Sequence, residues 1–321
     1  GELRLDRVAP AERPHGVSVG TNPRDLAVSE DGSTVYVAAQ GGLSITAVDT
    51  ATLERRSLPS PRQRDRFVTT PTEYGRNVAA PPNDLVLWRD LLYVPTLSAN
   101  THHPPLTGPD TDGDGRPGDS TPNRDFNDLQ NEIALFEVPG LQPRIRYTSD
   151  TICCKEYRDV SPSDPKLGKM LPPKSTWIVE GSLPEQAELV TLEGDPHLVV
   201  AYSGSNQLQR FRIEEDGSLS PGPILSTGYN PMGLAVDERA DEAFVSNRLG
   251  ETVSVVDLHA FEVSTEIVVG DVSGGRFPAT DAEIGEFLMF SGAEFSVDGD
   301  QTCHHCHRGR GTISKSFHMP L

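Results

Sequence analysis

Short runs of alternating apolar and polar residues, separated by turn residues, dominate the chain. In Ser44-Ile45-Thr46-Ala47-Val48 the apolar positions recur with a period of two, the signature of a strand with one buried face. Three such strands are expected in succession over Asp25–Ser29, Thr34–Ala39 and Ser44–Asp49. Glu30-Asp31-Gly32 and Gln40-Gly41-Gly42 supply the turns between them. The unit recurs without a gap at 228–257. Gly20, Asn22, Pro23, Leu26, Ala27, Val28, Val37, Val48 and Asp49 return as Gly228, Asn230, Pro231, Leu234, Ala235, Val236, Val245, Val256 and Asp257, and Tyr36 becomes Phe244.

Two weaker copies lie between. One combines Asn83–Leu87, Leu91–Val94 and Glu132–Phe136; the other combines Ala187–Leu192, His197–Ser203 and Asn206–Ile213. A unit this small cannot close a core by itself. Stacked radially, such units bury their faces against one another as the blades of a β-propeller. An all-β fold is therefore expected, as a propeller over 1–275, with a β-sandwich as the alternative. Four blades are countable. Segments 95–130 and 149–182 carry no periodic pattern and read as long loop insertions, of the kind that serve a site or a partner.

The first and last copies resemble the YVTN family of β-propeller repeats. Asn22-Pro23, Leu26-Ala27-Val28, Asp31-Gly32, Tyr36-Val37 and Ile45–Asp49 carry the likeness, with their equivalents at 230–257. Seven or eight blades are usual in that family. The resemblance implies that a further chain or further residues complete the ring, or that the long insertions hold further strands.

Composition sharpens this picture. Among 321 residues, 29 Gly and 27 Pro with 36% hydrophobic residues suit short strands and many turns. A net charge of −19 excludes nucleic acid and anionic lipid as main partners and would steer a basic protein partner. No apolar run is long enough to span a membrane. Gly1-Glu2-Leu3-Arg4 does not read as a signal peptide, so an exported protein would be in its processed form.

The chemistry gathers near residue 303. Cys303-His304-His305-Cys306-His307 is the c-type haem attachment pattern. Two thiols two residues apart can reach the two vinyl groups on one porphyrin edge, and the adjacent His307 can bind iron as the proximal ligand. Two alternatives stay open: a zinc or copper site from Cys303, Cys306 and histidines, and a redox Cys-x-x-Cys. Tetrahedral zinc normally draws on a second ligand cluster, and the strand and helix context of a thioredoxin-like site is missing.

The flanks resemble the start of the di-haem cytochrome c peroxidase superfamily. Ile284-Gly285, Phe290, Phe295-Ser296-Val297-Asp298-Gly299, Thr302 and the polar loop Arg308–Ser316 carry the likeness, with Thr where Ser is common at 302. It implies a short, mainly helical cytochrome c-type segment over 276–321 and a c-type haem. Haem attachment by thioether takes place outside the cytoplasm, so a periplasmic or extracellular, cell-surface location is expected, with a role in electron transfer and a redox protein partner docked by the acidic surface and long loops. The family has two such haem motifs and this sequence has one. A peroxidase-like oxidoreductase reaction is expected only if a second haem domain is supplied. Candidate sixth iron ligands are Met319 and His318; the alternative is that both are tail residues without a ligand role.

Asp110-Thr111-Asp112-Gly113-Asp114-Gly115 has the alternating carboxylates of a calcium loop, with Asp119 as a candidate closing ligand; the alternative is a solvated acidic loop. Cys153 and Cys154 are adjacent and either form a vicinal disulfide or stay as free thiols. Trp88, Trp177 and Tyr157 either pack the fold or relay electrons. The competing function class is a binding module, in which the propeller recognises a ligand or protein and calcium fixes a loop.

Overall fold

The computed structural model describes residues 16–41, 44–58, 82–99, 129–140, 142–149, 175–270, 275–295 and 302–306. These residues form four successive sheets. The first holds β1 (Pro23–Val28), β2 (Thr34–Ala39), β3 (Ser44–Asp49) and β4 (Arg55–Leu58). The second holds β5 (Val86–Trp88), β6 (Leu91–Ala99), β7 (Leu129–Glu137), β8 (Gln142–Ser149) and β9 (Ser175–Val179). The third holds β10 (Pro184–Leu192), β11 (Asp195–Tyr202), β12 (Gln207–Ile213) and β13 (Leu219–Ser226). The fourth holds β14 (Pro231–Asp237), β15 (Glu242–Asn247), β16 (Thr252–Asp257) and β17 (Glu262–Val268). Two helices follow, α1 (Asp281–Phe290) and the single turn α2 (Cys303–Cys306).

Neighbouring strands in each sheet are consecutive in the chain and antiparallel, except that β9 joins β8 in parallel. The sheets pack in series through their first strands: β1 against β5, β5 against β10, and β10 against β14. Sheet order and serial packing are those of propeller blades, not of two facing sheets.

Three separate cores fill the blade boundaries. Tyr36, Ala38 and Ile45 meet Leu92, Val94 and Phe136 between the first two blades. Tyr93, Ile133 and Tyr147 meet Leu198, Val200 and Phe211 at the next boundary. Val190, Val199, Ala201 and Leu208 meet Leu234, Val245 and Val256 at the third. Each fully buried large side chain contributes about 1.5–3 kcal/mol relative to exposure.

A side-chain staple crosses each boundary. Asp25 Oδ2 accepts the Leu85 N–H at 2.9 Å, Asp84 Oδ2 accepts the Ala187 N–H at 2.6 Å, and Gln186 Oε1 accepts the Leu234 N–H at 2.7 Å. In every case the acceptor stands early in one blade's inner strand segment and the donor stands one residue later in the next blade's.

The repeat seen in the sequence is conformational too. Asn22 and Asn230 both sit in the left-handed region, at φ 53° and 57°, which Asn tolerates better than most residues. Their carbonyls accept the N–H groups of Gln40 and Arg248, again 208 residues apart. Asp49 Oδ1 caps the N–H groups of Ala51 and Thr52, as Asp257 Oδ1 caps those of His259 and Ala260.

The structure corrects the expected strands in three places. Each blade carries a fourth, outer strand (β4, β8, β13 or β17) where three were expected. In β17 every residue but Val263 is exposed, so this edge carries little of the burial that makes a strand legible. Segment 95–130 does not begin as a loop, because β6 runs through Pro95 to Ala99. Pro95 cannot donate to a ladder, but its carbonyl accepts the Asn83 N–H at 3.0 Å. Segment 149–182 contains β9, held by main-chain pairing to β8.

Candidate functional site

The C-terminal segment reaches the propeller through α1. Thr280 caps this helix: its Oγ1 accepts the Glu283 N–H at 3.3 Å, and Glu283 Oε2 accepts the Thr280 N–H at 2.9 Å. Backbone N–H groups of Ala279 and Thr280 hold the Glu283 carboxyl below its ordinary value. The helix contains Ile284 and Gly285 and ends at Ser291, whose N–H bonds the Phe287 carbonyl at 2.9 Å.

Just past α1 the chain bonds directly to the third blade. The Gly292 N–H donates to the Gly204 carbonyl at 2.7 Å. Asn206 Nδ2 donates to Ser291 Oγ at 3.2 Å, and Asn206 Oδ1 accepts the Asn230 N–H of the fourth blade at 2.8 Å. Ser291 Oγ also donates to Glu294. A Cβ on Gly204 would lie 2.6 Å from Ser182 Oγ, so this turn needs glycine to approach so closely.

Aromatic rings complete the docking. Phe287 lies edge-on to Tyr229 at 5.1 Å and to Phe277 and Phe295 at 5.9 and 5.2 Å. Phe290 sits between the Arg248 guanidinium, 4.3 Å from its ring centre, and the His304 imidazole at 4.7 Å. Arg248 Nε donates to Asn230 Oδ1 at 2.8 Å. A continuous set of contacts therefore runs from α2 to the boundary of the third and fourth blades.

At α2, Thr302 is buried, Cys303 is exposed and His304 is half-buried. Cys303 and Cys306 open and close one helical turn. Of the other expected site residues, His307, His318, Met319, Asp110, Asp112, Asp114, Asp119, Cys153 and Cys154 lie outside the described residues. Among the described residues no three His, Cys, Asp or Glu side chains gather as a metal site. No helix among them is long and apolar enough to cross a membrane. Trp88 packs against the core between the second and third blades, with the Arg89 guanidinium 4.2 Å above its ring. Tyr157 lies outside the described residues, and Trp177 belongs to β9.

The comparisons with known proteins bear on the fold. No protein-family model matches the chain, and no curated protein matches it. Among solved structures it is similar to hydrazine synthase from Kuenenia stuttgartiensis, at 14% identity over 79% of this chain and 52% of that one, with a TM-score of 0.43. A proposed 6-phosphogluconolactonase from Bacteroides uniformis matches at 12% identity over 79% and 59%, TM-score 0.43. A protein from Lactobacillus plantarum matches at 17% identity over 80% and 58%, TM-score 0.40. The chain thus spans little more than half the length of these proteins. At such scores the propeller assignment rests on the sheet order and the three inter-blade cores.

Docking uses residues that the sequence pattern passed over: Gly204, Asn206, Tyr229, Arg248, Phe277 and Phe287. Two carried a signal. Tyr229 and Arg248 stand where the first repeat has Thr21 and Gln40, so the later copy departs from the earlier one where the C-terminal segment lands.

Proposed function

We propose that this chain is an extracytoplasmic c-type haem protein that moves electrons, with the β-propeller as the platform for a haem segment spanning 276–321. The supporting observation is the position of Cys303, exposed at the head of a helical turn whose other end is Cys306. Residues three apart on a helix share a face, as the two vinyl groups of one ring edge require. Ile284, Leu288 and Phe295 expose apolar surface on the same segment, which suits the face of a porphyrin. Bound haem would supply a one-electron couple whose potential follows its axial ligands. Cys303 and Cys306 would anchor it, His307 would be the proximal ligand, and His318 or Met319 the sixth.

Around that centre, the −19 charge would draw a basic redox partner. Asp110, Asp112, Asp114 and Asp119 would hold calcium in an insertion. A second haem domain, if supplied, would extend the activity to a peroxidase-like oxidoreductase.

The test is intact mass with a pyridine haemochrome spectrum of protein made in an export host equipped for haem attachment. One covalent haem is expected in the unsubstituted chain, and none in a Cys303→Ala, Cys306→Ala double variant. Unmodified mass with no visible band would overturn the reading. Metal analysis of the same sample would then separate a zinc or copper site from free thiols.

A further inference from the structure

The two matched repeats give an internal control for burial, because each shows what the other's faces look like when a blade covers them. The fourth blade packs Leu234, Val245 and Phe261 onto the third, and Leu234 and Phe261 are only 4% and 6% exposed. Their equivalents on the first blade are Leu26, Val37 and Leu53. Leu26 and Leu53 are 59% and 46% exposed. The first blade in turn packs Ala27, Tyr36 and Ala38 onto the second, with Tyr36 at 2%. The equivalents on the fourth blade are Ala235, Phe244 and Ser246; all three are exposed, and Phe244 reaches 36%.

Among the described residues the array is thus open at both ends, and the two faces left uncovered there are of opposite kinds. The first blade offers the face that elsewhere receives a preceding blade. The fourth offers the face that elsewhere receives a following one. Both kinds of contact already exist inside this chain, as the first-to-second and third-to-fourth boundaries.

We propose that these faces pair between two copies of this chain, the fourth blade of each against the first blade of the other. Two copies related by a twofold axis satisfy both faces with no surplus. The four described blades of each copy would then make a ring of eight, within the range of about four to eight in which propellers close. The inference is independent of the haem reading.

The inter-blade staple predicts how strong this boundary is. Asp25, Asp84 and Gln186 are the acceptors within the chain, and the fourth blade has Gly233 at that position. Leu26 of the partner subunit, which stands where Leu85, Ala187 and Leu234 donate, therefore meets no side-chain acceptor. The boundary between copies is apolar and unstapled, so it is the one that opens on dilution.

Sedimentation velocity of the full chain across a concentration series tests this. A reversible dimer is expected, with no trimer or higher species. Leu26→Glu and Phe244→Glu change exposed side chains, so each is expected to keep the far-ultraviolet circular dichroism of the parent and to sediment as a monomer. Mixing the two variants leaves one of the two boundaries free of substitution and should restore part of the dimer. A parent that stays monomeric at every concentration overturns the proposal and gives the faces to blades from another source. A dimer that survives both substitutions also overturns it.

Discussion

The carboxyl groups of Asp25 and Asp84 hydrogen-bond to each other across the boundary between the first two blades. Each also accepts a backbone N–H from the following blade, Leu85 at 2.9 Å and Ala187 at 2.6 Å. Burial, and then the facing Asp25 carboxyl, push the Asp84 acid from an ordinary 3.8 up to about 8. Burial first, and then the Asp25 charge, also raise Glu188.

The folded chain therefore keeps a proton on Asp84 that the unfolded chain gives up above its ordinary value. Between 3.8 and about 8 the folded state binds more protons at this site, so stability falls as pH rises through that window. Asp84→Asn keeps an acceptor for Ala187 and a donor for Asp25 while removing the titration. Its urea midpoint should match the parent near the low end of the window and exceed it above the high end.

The staple at Gln186 is neutral, so its removal reads the hydrogen bond without a change of charge. Gln186→Ala strands the Leu234 N–H at the third boundary and should cost about 1–3 kcal/mol. Gln186→Glu keeps an acceptor oxygen and should cost less. Chemical denaturation of the two variants at one pH compares them.

Close approach at the repeat's entrance gives a further comparison. A Cβ on Gly228 would lie 2.5 Å from Asn247 Nδ2, which donates to Thr252 at 3.0 Å and Ser254 at 2.8 Å and so is not free to move. Gly228→Ala should cost about 1–3 kcal/mol through overpacking. Gly32 has φ +69° with nothing near its missing Cβ, so Gly32→Ala should cost about 1 kcal/mol, from backbone conformation alone. Thermal unfolding should rank the two in that order.

Asn206 ties together the third blade, the fourth blade and the C-terminal segment. Asn206→Ala leaves the Asn230 N–H and Ser291 Oγ without this partner and should cost about 1–3 kcal/mol. Limited proteolysis ahead of α1 should quicken in the variant if this residue holds the segment to the propeller. Unchanged cleavage would place the hold on the Phe287 and Phe290 contacts.

The sequence by itself determined the blades wherever both faces of a strand have a fixed role. Over Thr34–Ala39 and Ser44–Asp49 the period-two pattern marked the strand ends correctly, because alternate residues there meet a neighbouring blade. The 208-residue repeat was legible for the same reason, down to the Asn22 and Asn230 turns. The Cys303–His307 motif stands out as a local pattern of residue types, and the structure describes its residues 303–306 as one helical turn. Outer strands were not legible: main-chain pairing at a sheet edge makes little demand on side-chain type, as β17 illustrates. The run of β6 through Pro95 was hidden by a residue that lacks a ladder donor.

Tertiary structure alone decided which blade touches which, and so why Leu26 is exposed while its repeat twin Leu234 is buried. It alone set Asp84 beside Asp25, and the raised Asp84 acid depends on two segments about sixty residues apart meeting in a low-dielectric boundary. It also set Phe290 between Arg248 and His304. A periodic pattern specifies the face a residue presents; only packing supplies what that face meets.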